Sequence, residues 1–165
     1  PLAPGRKVTD RTLIDADVLG WWYGAILPDR RPLAIYHCRP DRANRLRRDP
    51  GLWHNGLARS AILSPHLDVA LFDPAKLEFC DASGAFTHPL CGEGWLACGD
   101  AALAFDPIAS QGLFHAIRSA QAASEVLLAQ QPHVARQGYV AEMEHVWQSY
   151  AARRDAVYRQ LGRAA

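Results

Sequence analysis

The chain of 165 residues lacks any apolar run near the roughly 18 residues that cross a bilayer, and its first residues carry no signal-peptide core. A membrane span is not expected, and the expected compartment is the cytoplasm. Cysteine is sparse. Cys38, Cys80, Cys91 and Cys98 show neither Cys-x-x-Cys spacing nor histidines at zinc-finger intervals, so neither a structural zinc site nor a redox dithiol is indicated. Lysine is nearly missing, with Lys7 and Lys76 the only two, and the formal net charge of +1 gives no electrostatic case for a nucleic-acid partner. The arginine bias is read as genome composition rather than as a phosphate site. No Gly-x-Gly-x-x-Gly occurs anywhere, and the first residue is proline rather than methionine. What remains is ordinary for a globular protein, 49% hydrophobic and 21% charged, with enough length for a real core.

One stretch departs from the ordinary, Gly94 to Gly112. Trp95 to Cys98 reads as a short buried strand bounded by glycines. Gly99 lets the backbone turn closely past a neighbour, and Asp100 presents a carboxylate at the strand's carboxyl end, the edge where ligands sit in open α/β sheets. Pro107 restricts the backbone ahead of a new helix, and Ser110, Gln111 and Gly112 are small or capping residues at its start. The N–H groups of that first turn are free to face an anionic or electron-rich ligand. A lone Gly-Asp would be a turn signal and nothing more, whereas the whole spacing is far more specific.

The run Gly99-Asp100-Ala101-Ala102, then Asp106-Pro107, then Ser110-Gln111-Gly112, resembles the second FAD-binding motif of flavin-dependent monooxygenases of the p-hydroxybenzoate hydroxylase fold. It is most similar to the branch of the tryptophan halogenases and the quinone-cofactor maturation hydroxylases. Leu103 stands where aromatic hydroxylases commonly have histidine, which favours that branch. The resemblance implies that Gly99 and Asp100 bind FAD, the Asp100 carboxylate holding its ribityl and ribose-side hydroxyls. It also implies that Pro107, Ser110, Gln111 and Gly112 line the isoalloxazine ring, with the helix N-terminus at its N1 and C2 carbonyl edge. A carboxylate accepts two hydroxyl hydrogen bonds, and a helix dipole stabilises a negatively charged reduced flavin. The implied activity is that of a monooxygenase or halogenase-like oxidoreductase, acting on an aromatic small molecule or a peptidyl tryptophan through a flavin C4a-hydroperoxide. The electron source would be reduced flavin or NAD(P)H. Such proteins hold the FAD pyrophosphate on a glycine-rich turn that this chain lacks, so it is expected to be the C-terminal part of a longer flavoprotein and inactive alone. A flavin-dependent reductase of the geranylgeranyl-reductase type and a non-catalytic partner-binding fragment of the same fold are the alternatives.

The expected fold class is α+β, a fragment of an α/β FAD-binding fold. Residues 1–90 read as part of an antiparallel substrate-binding sheet with short helices, 91–131 as the closing strand and helix of the FAD domain, and 132–165 as a terminal helix. Trp21 to Leu27 and Leu33 to Cys38 flank a Pro/Asp turn and predict an antiparallel hairpin carrying the candidate substrate aromatics Trp21, Trp22 and Tyr36, although aromatics of this kind are most often core. Pro40 opens an arginine-rich helix, Pro50-Gly51 breaks it, and Leu52 to Leu63 resumes a helical period. Leu67 to Phe72 and Lys76 to Asp81 read as short alternating strands, with Phe86 to Leu90 as an edge strand. Leu113, Ile117, Ala120, Ser124 and Leu127 mark the expected inner stripe of a long helix, and Tyr139, Met143, Val146, Tyr150, Val157 and Leu161 that of a second. His54 and His66 have no paired acid and read as surface or hydrogen-bonded histidines, His115 on the long helix is within reach of the expected flavin but reads as structural, and no general base or nucleophile is identifiable.

Overall fold

The computed structural model describes the backbone of residues 10–163, with side chains through residue 160. Residues 1–9 of the sheet-bearing segment expected over 1–90 lie outside the described residues. The chain divides after Phe79 into two compact units, the first built on the preceding residues and the second spanning Cys80–Gln160.

The first unit is a three-stranded antiparallel meander, β1 (Leu13–Asp17), β2 (Gly20–Ile26) and β3 (Pro32–Cys38), in that order. β-Branched and aromatic side chains suit a pleated, half-buried surface, and the expected hairpin is present with Trp22 opposite Tyr36 and Trp21 opposite His37. Its turn is closed by Asp29, whose carboxylate accepts the Arg31 N–H, while Arg30 takes the left-handed conformation with φ 64°. Alternation sends Trp22 to the sheet face packed by α1 (Pro40–Arg48) and α2 (Gly51–Arg59), where Leu46, Trp53, Leu57, Leu63 and Leu67 complete the core. Gly56 explains how closely α2 approaches, because a Cβ there would stand 2.9 Å from the Trp22 ring.

The expected strands over Leu67–Phe72 and Lys76–Asp81 are instead 3₁₀ turns at Val69–Leu71 and Pro74–Lys76. Asp68 and Asp73 each accept the N–H two residues on, from Ala70 and Ala75, and this local turn chemistry prevails over weak alternation.

The second unit carries two short antiparallel pairs and two long helices. β4 (Ala85–Phe86) pairs with β7 (Leu103–Ala104), and β5 (Cys91–Gly92) with β6 (Trp95–Leu96). The edge strand expected over Phe86–Leu90 is thus two residues long and begins at Ala85; Pro89, with no N–H to give a ladder, lies beyond its end. The buried strand expected over Trp95–Cys98 is likewise shortened to Trp95–Leu96, with Trp95 itself 49% exposed. Gly94, at φ 76°, permits the tight return from β5 to β6, and the Ala97 N–H reaches the Leu90 carbonyl at 2.8 Å.

Helix α3 (Gly112–Leu128) and helix α4 (Pro132–Arg163) enclose Leu90, Ala102, Leu103, Ala123, Val126, Tyr139 and Met143. On α4 the expected stripe holds at Tyr139, Met143 and Tyr150, all buried, while Val157 is exposed and the Leu161 side chain lies outside the described residues. On α3 the expected stripe is overturned. Ser119, Ala123 and Val126 face inward, whereas Leu113, Ile117 and Leu127 are 79%, 63% and 77% exposed, and Ala120 and Ser124 are exposed with them. The cause is a close backbone approach: a Cβ on Gly99 would lie 3.6 Å from that of Ala116, so the small-residue face of α3 is the one that fits. Two hydrogen bonds tie the segment before Asp100 to the helices. The Gly99 N–H donates to Ser119 Oγ at 2.8 Å, and the Tyr139 hydroxyl donates to the Ala97 carbonyl at 2.7 Å. Burial raises the Tyr139 phenol pKa to about 12, keeping it a donor across the working range. Tyr139→Phe is expected to cost about 0.5–1.5 kcal/mol of stability, the net worth of one neutral hydrogen bond, as a lower urea midpoint with unchanged slope.

Candidate functional site

Residues 99–115 of the second unit bring the motif together as two short 3₁₀ turns leading into α3. The first, Gly99–Ala101, begins with Gly99 at φ 60°, a conformation a side chain would strain, and closes through the Ala102 N–H on the Gly99 carbonyl. Asp100 is exposed at the middle of this turn, and its carboxylate makes no hydrogen bond or ion pair among the described residues. Its acceptor sites face solvent beside α3.

The second turn, Pro107–Ala109, starts with Pro107 at its first position, as the sequence led one to expect. Asp106 caps it by accepting the Ile108 N–H at 2.9 Å. Ser110 then takes the left-handed conformation at φ 49°, redirecting the chain, and Gln111 sits at the N-cap of α3 without a side-chain cap. The first helical hydrogen bond is that of the His115 N–H to the Gln111 carbonyl at 2.9 Å, so the N–H groups of the preceding turn have no helical acceptor. Gly112 opens this turn, and a Cβ built there meets no atom within 4 Å. His115 stacks on Phe105 with ring centroids 4.6 Å apart, and burial lowers its pKa below the usual imidazole value.

The arrangement offers a partner-free carboxylate at one turn and an uncapped helix start at the other. Chemically this fits a ligand with hydroxyls to donate and an electron-rich edge to rest on N–H groups, which is what FAD presents through its ribityl chain and isoalloxazine ring. Among the described residues no group of three or more His, Cys, Asp or Glu side chains could hold a metal ion.

The candidate substrate aromatics belong to the first unit and occupy both faces of its sheet. Trp22 packs 4.5 Å from Tyr36 and 5.4 Å from Trp53, within the helix-covered core. Trp21, on the opposite face, stacks on His37 at 3.9 Å. The Tyr36 hydroxyl donates to Asp17 at 2.9 Å, and burial together with that carboxylate pushes its pKa well above the usual phenol range.

Ser119, Tyr139, Tyr150 and Tyr158 hold Gly99, Ala97 and Asp106 by hydrogen bonds, and sequence reasoning assigned none of them a role there. A signal existed for the tyrosines, since polar-tipped aromatics at 139, 150 and 158 lie along one helix and seek partners for their hydroxyls.

No protein-family model matches the chain. It is 27% identical over 161 residues to LodB of Marinomonas mediterranea, named as an FAD-dependent oxidoreductase, an alignment covering 95% of this chain and 42% of LodB. Two solved structures share its fold at 22% identity. One is PqsL of Pseudomonas aeruginosa, described as an FAD-dependent monooxygenase, with a TM-score of 0.72 over 98% of this chain and 46% of PqsL. The other is QhpG, a peptidyl tryptophan dihydroxylase essential for tryptophylquinone cofactor biogenesis, with a TM-score of 0.67 over 99% of this chain and 41% of QhpG. The chain thus spans less than half the length of these proteins, and its helices and small antiparallel sheets have the fold of the matching part of FAD-dependent monooxygenases.

Proposed function

We propose that this chain is the C-terminal part of an FAD-dependent monooxygenase and forms one wall of its flavin site. The observation that carries the reading is the conjunction of the partner-free Asp100 carboxylate on a left-handed glycine turn with the uncapped first turn of α3. Asp100 accepts ribityl-side hydroxyls, Gly99 keeps the backbone close, and Pro107, Ser110, Gln111 and Gly112 line the ring. Bound FAD, once reduced, supplies the oxygen chemistry; the protein orients the ring, stabilises its negative charge through α3 and excludes water. Trp21, Trp22 and Tyr36 of the first unit are the proposed substrate contacts, for an aromatic small molecule or a peptidyl tryptophan, Trp22 and Tyr36 lying on one face of the sheet and Trp21 on the other. That QhpG is a peptidyl tryptophan dihydroxylase supports this choice over a geranylgeranyl-reductase-like activity. The electrons come from reduced flavin or NAD(P)H.

The exposed face of α3 supports the same reading. Leu113, Phe114, Ile117, Leu127 and Leu128 present a long apolar stripe to solvent. Such a stripe marks a surface meant to be covered, here by the remainder of the flavoprotein. A non-catalytic partner-binding fragment would use the same stripe, and flavin binding separates the two.

Residues 1–165 alone are therefore expected to bind FAD weakly or not at all, because the glycine-rich pyrophosphate turn is not among them, while the complete protein binds it stoichiometrically. Fluorescence titration of FAD into each preparation is the test. Tight binding to the isolated chain, or none to the complete protein, would contradict the proposal.

A further inference from the structure

Asp106 is anchored from three directions at once. Its N–H donates to the Tyr150 hydroxyl at 2.7 Å, one carboxylate oxygen accepts the Ile108 N–H at 2.9 Å, and the other accepts the Tyr158 hydroxyl at 2.9 Å. Tyr150 and Tyr158 both stand on α4, more than 40 residues along the chain from the turn they grip. The Tyr150 ring also meets Phe105 edge-on at 4.7 Å, and Phe105 stacks on His115 in the opening turns of α3. Side chains of α4 thus hold the Phe105–Asp106 end of this segment directly, and Phe105 passes that hold to His115 by stacking.

That segment needs such a hold. It runs through a 3₁₀ turn capped only by the Asp106 carboxylate, then through Ser110 in the left-handed region, before α3 begins without a side-chain cap. A non-glycine residue in that region is strained and persists only where its surroundings fix it. Rotation of the Asp106 carboxylate would release the Ile108 N–H, and the Tyr158 hydroxyl resists that rotation by holding the second oxygen. A phenol bound to a carboxylate is a charge-assisted hydrogen bond, stronger than a neutral one.

We infer that Tyr158 is a positioning residue for the cofactor: acting through Asp106, it fixes the Pro107–Gly112 wall and with it the distance between the α3 N–H groups and the flavin ring. The inference rests on the flavin reading proposed above. Tyr158 touches no cofactor atom in this account; its effect is transmitted by the carboxylate it holds. Tyr150, which is buried in the unit's packing, shares the task but also supports the fold.

The test uses Tyr158→Phe in the complete flavoprotein, which removes the donor and keeps the ring. Because Tyr158 is 37% exposed, this variant is expected to fold as the parent does. The expected result is an FAD dissociation constant raised roughly two- to tenfold, the scale of one hydrogen bond. The flavin reduction potential should fall and its visible absorption bands shift, with the apo melting temperature lowered only slightly, as for the loss of one exposed hydrogen bond. Asp106→Asn, which keeps one acceptor for Ile108, should move the same observables in the same direction. A Tyr158→Phe protein with parental affinity, potential and spectrum overturns the inference. Asp100→Ala measured in parallel separates the two levels of argument: if that variant also keeps its flavin, the flavin reading itself has failed, and if only Tyr158→Phe is silent, the positioning role alone is lost.

Discussion

Asp100→Ala in the complete flavoprotein is expected to lower FAD affinity by roughly tenfold or more. The carboxylate has no partner among the described residues, so nothing within the chain competes for its acceptor sites. Its removal leaves ligand hydroxyls unpaired inside a closed site, and a hydrogen bond to a charged group is worth about 1.5–3 kcal/mol. The same isolation predicts that the fold is indifferent to the change: Asp100 caps nothing, and the turn is closed by backbone, through the Ala102 N–H. Asp100→Asn should recover part of the affinity, because an amide oxygen still accepts. Isothermal titration of apo-protein with FAD, beside thermal melts of parent and variants, gives both numbers. Parental affinity in Asp100→Ala would make the residue a turn residue only.

Gly112→Val should act on the flavin's energetics and leave the apo fold intact. Gly112 is the first residue of α3, and a residue without a Cβ there allows close approach by a neighbour. The chain itself supplies no such neighbour, since a Cβ at Gly112 meets nothing within 4 Å. Packing inside the chain does not require the glycine, and the proposed flavin is what would approach it. A valine there pushes the ring away from the α3 N–H groups that stabilise its reduced, anionic form. Helix-terminus interactions of this kind are worth about 0.5–2 kcal/mol, which for a two-electron couple is a fall in potential of roughly 10–40 mV. Redox titration of the variant beside the parent reads the shift. An unchanged potential and affinity would place Gly112 away from the cofactor, and a collapsed apo melt would mean that it serves packing after all.

Local signals carried the parts of the fold that local chemistry decides. The β2–β3 hairpin was legible because aromatic and β-branched runs flank Pro28 and Asp29, and α1 because Pro40 and Asp41 open it. The motif from Gly99 to Gly112 was legible as a spacing, and the structure realises it as two turns and an uncapped helix start. The misreadings have a common origin in contacts that a local pattern cannot reveal. On α3 both stripes have helical period, and the larger side chains looked like the core; the Gly99–Ala116 approach selects the smaller ones instead. At Asp68 and Asp73 a side chain two residues from its partner N–H outweighs an alternating pattern. The grip of Tyr158 on Asp106 spans 52 residues of sequence and needed the packed helix to be visible at all.

A crystal structure of the complete protein with FAD bound shows whether the segment from Gly99 to Gly112 faces the flavin. The expected result is the Asp100 carboxylate within hydrogen-bond distance of ribityl-side hydroxyls and the first-turn N–H groups of α3 at the N1–C2 edge of the isoalloxazine, over a bare Gly112. A flavin bound elsewhere, with Asp100 in solvent and the start of α3 turned away from the ring, would contradict it.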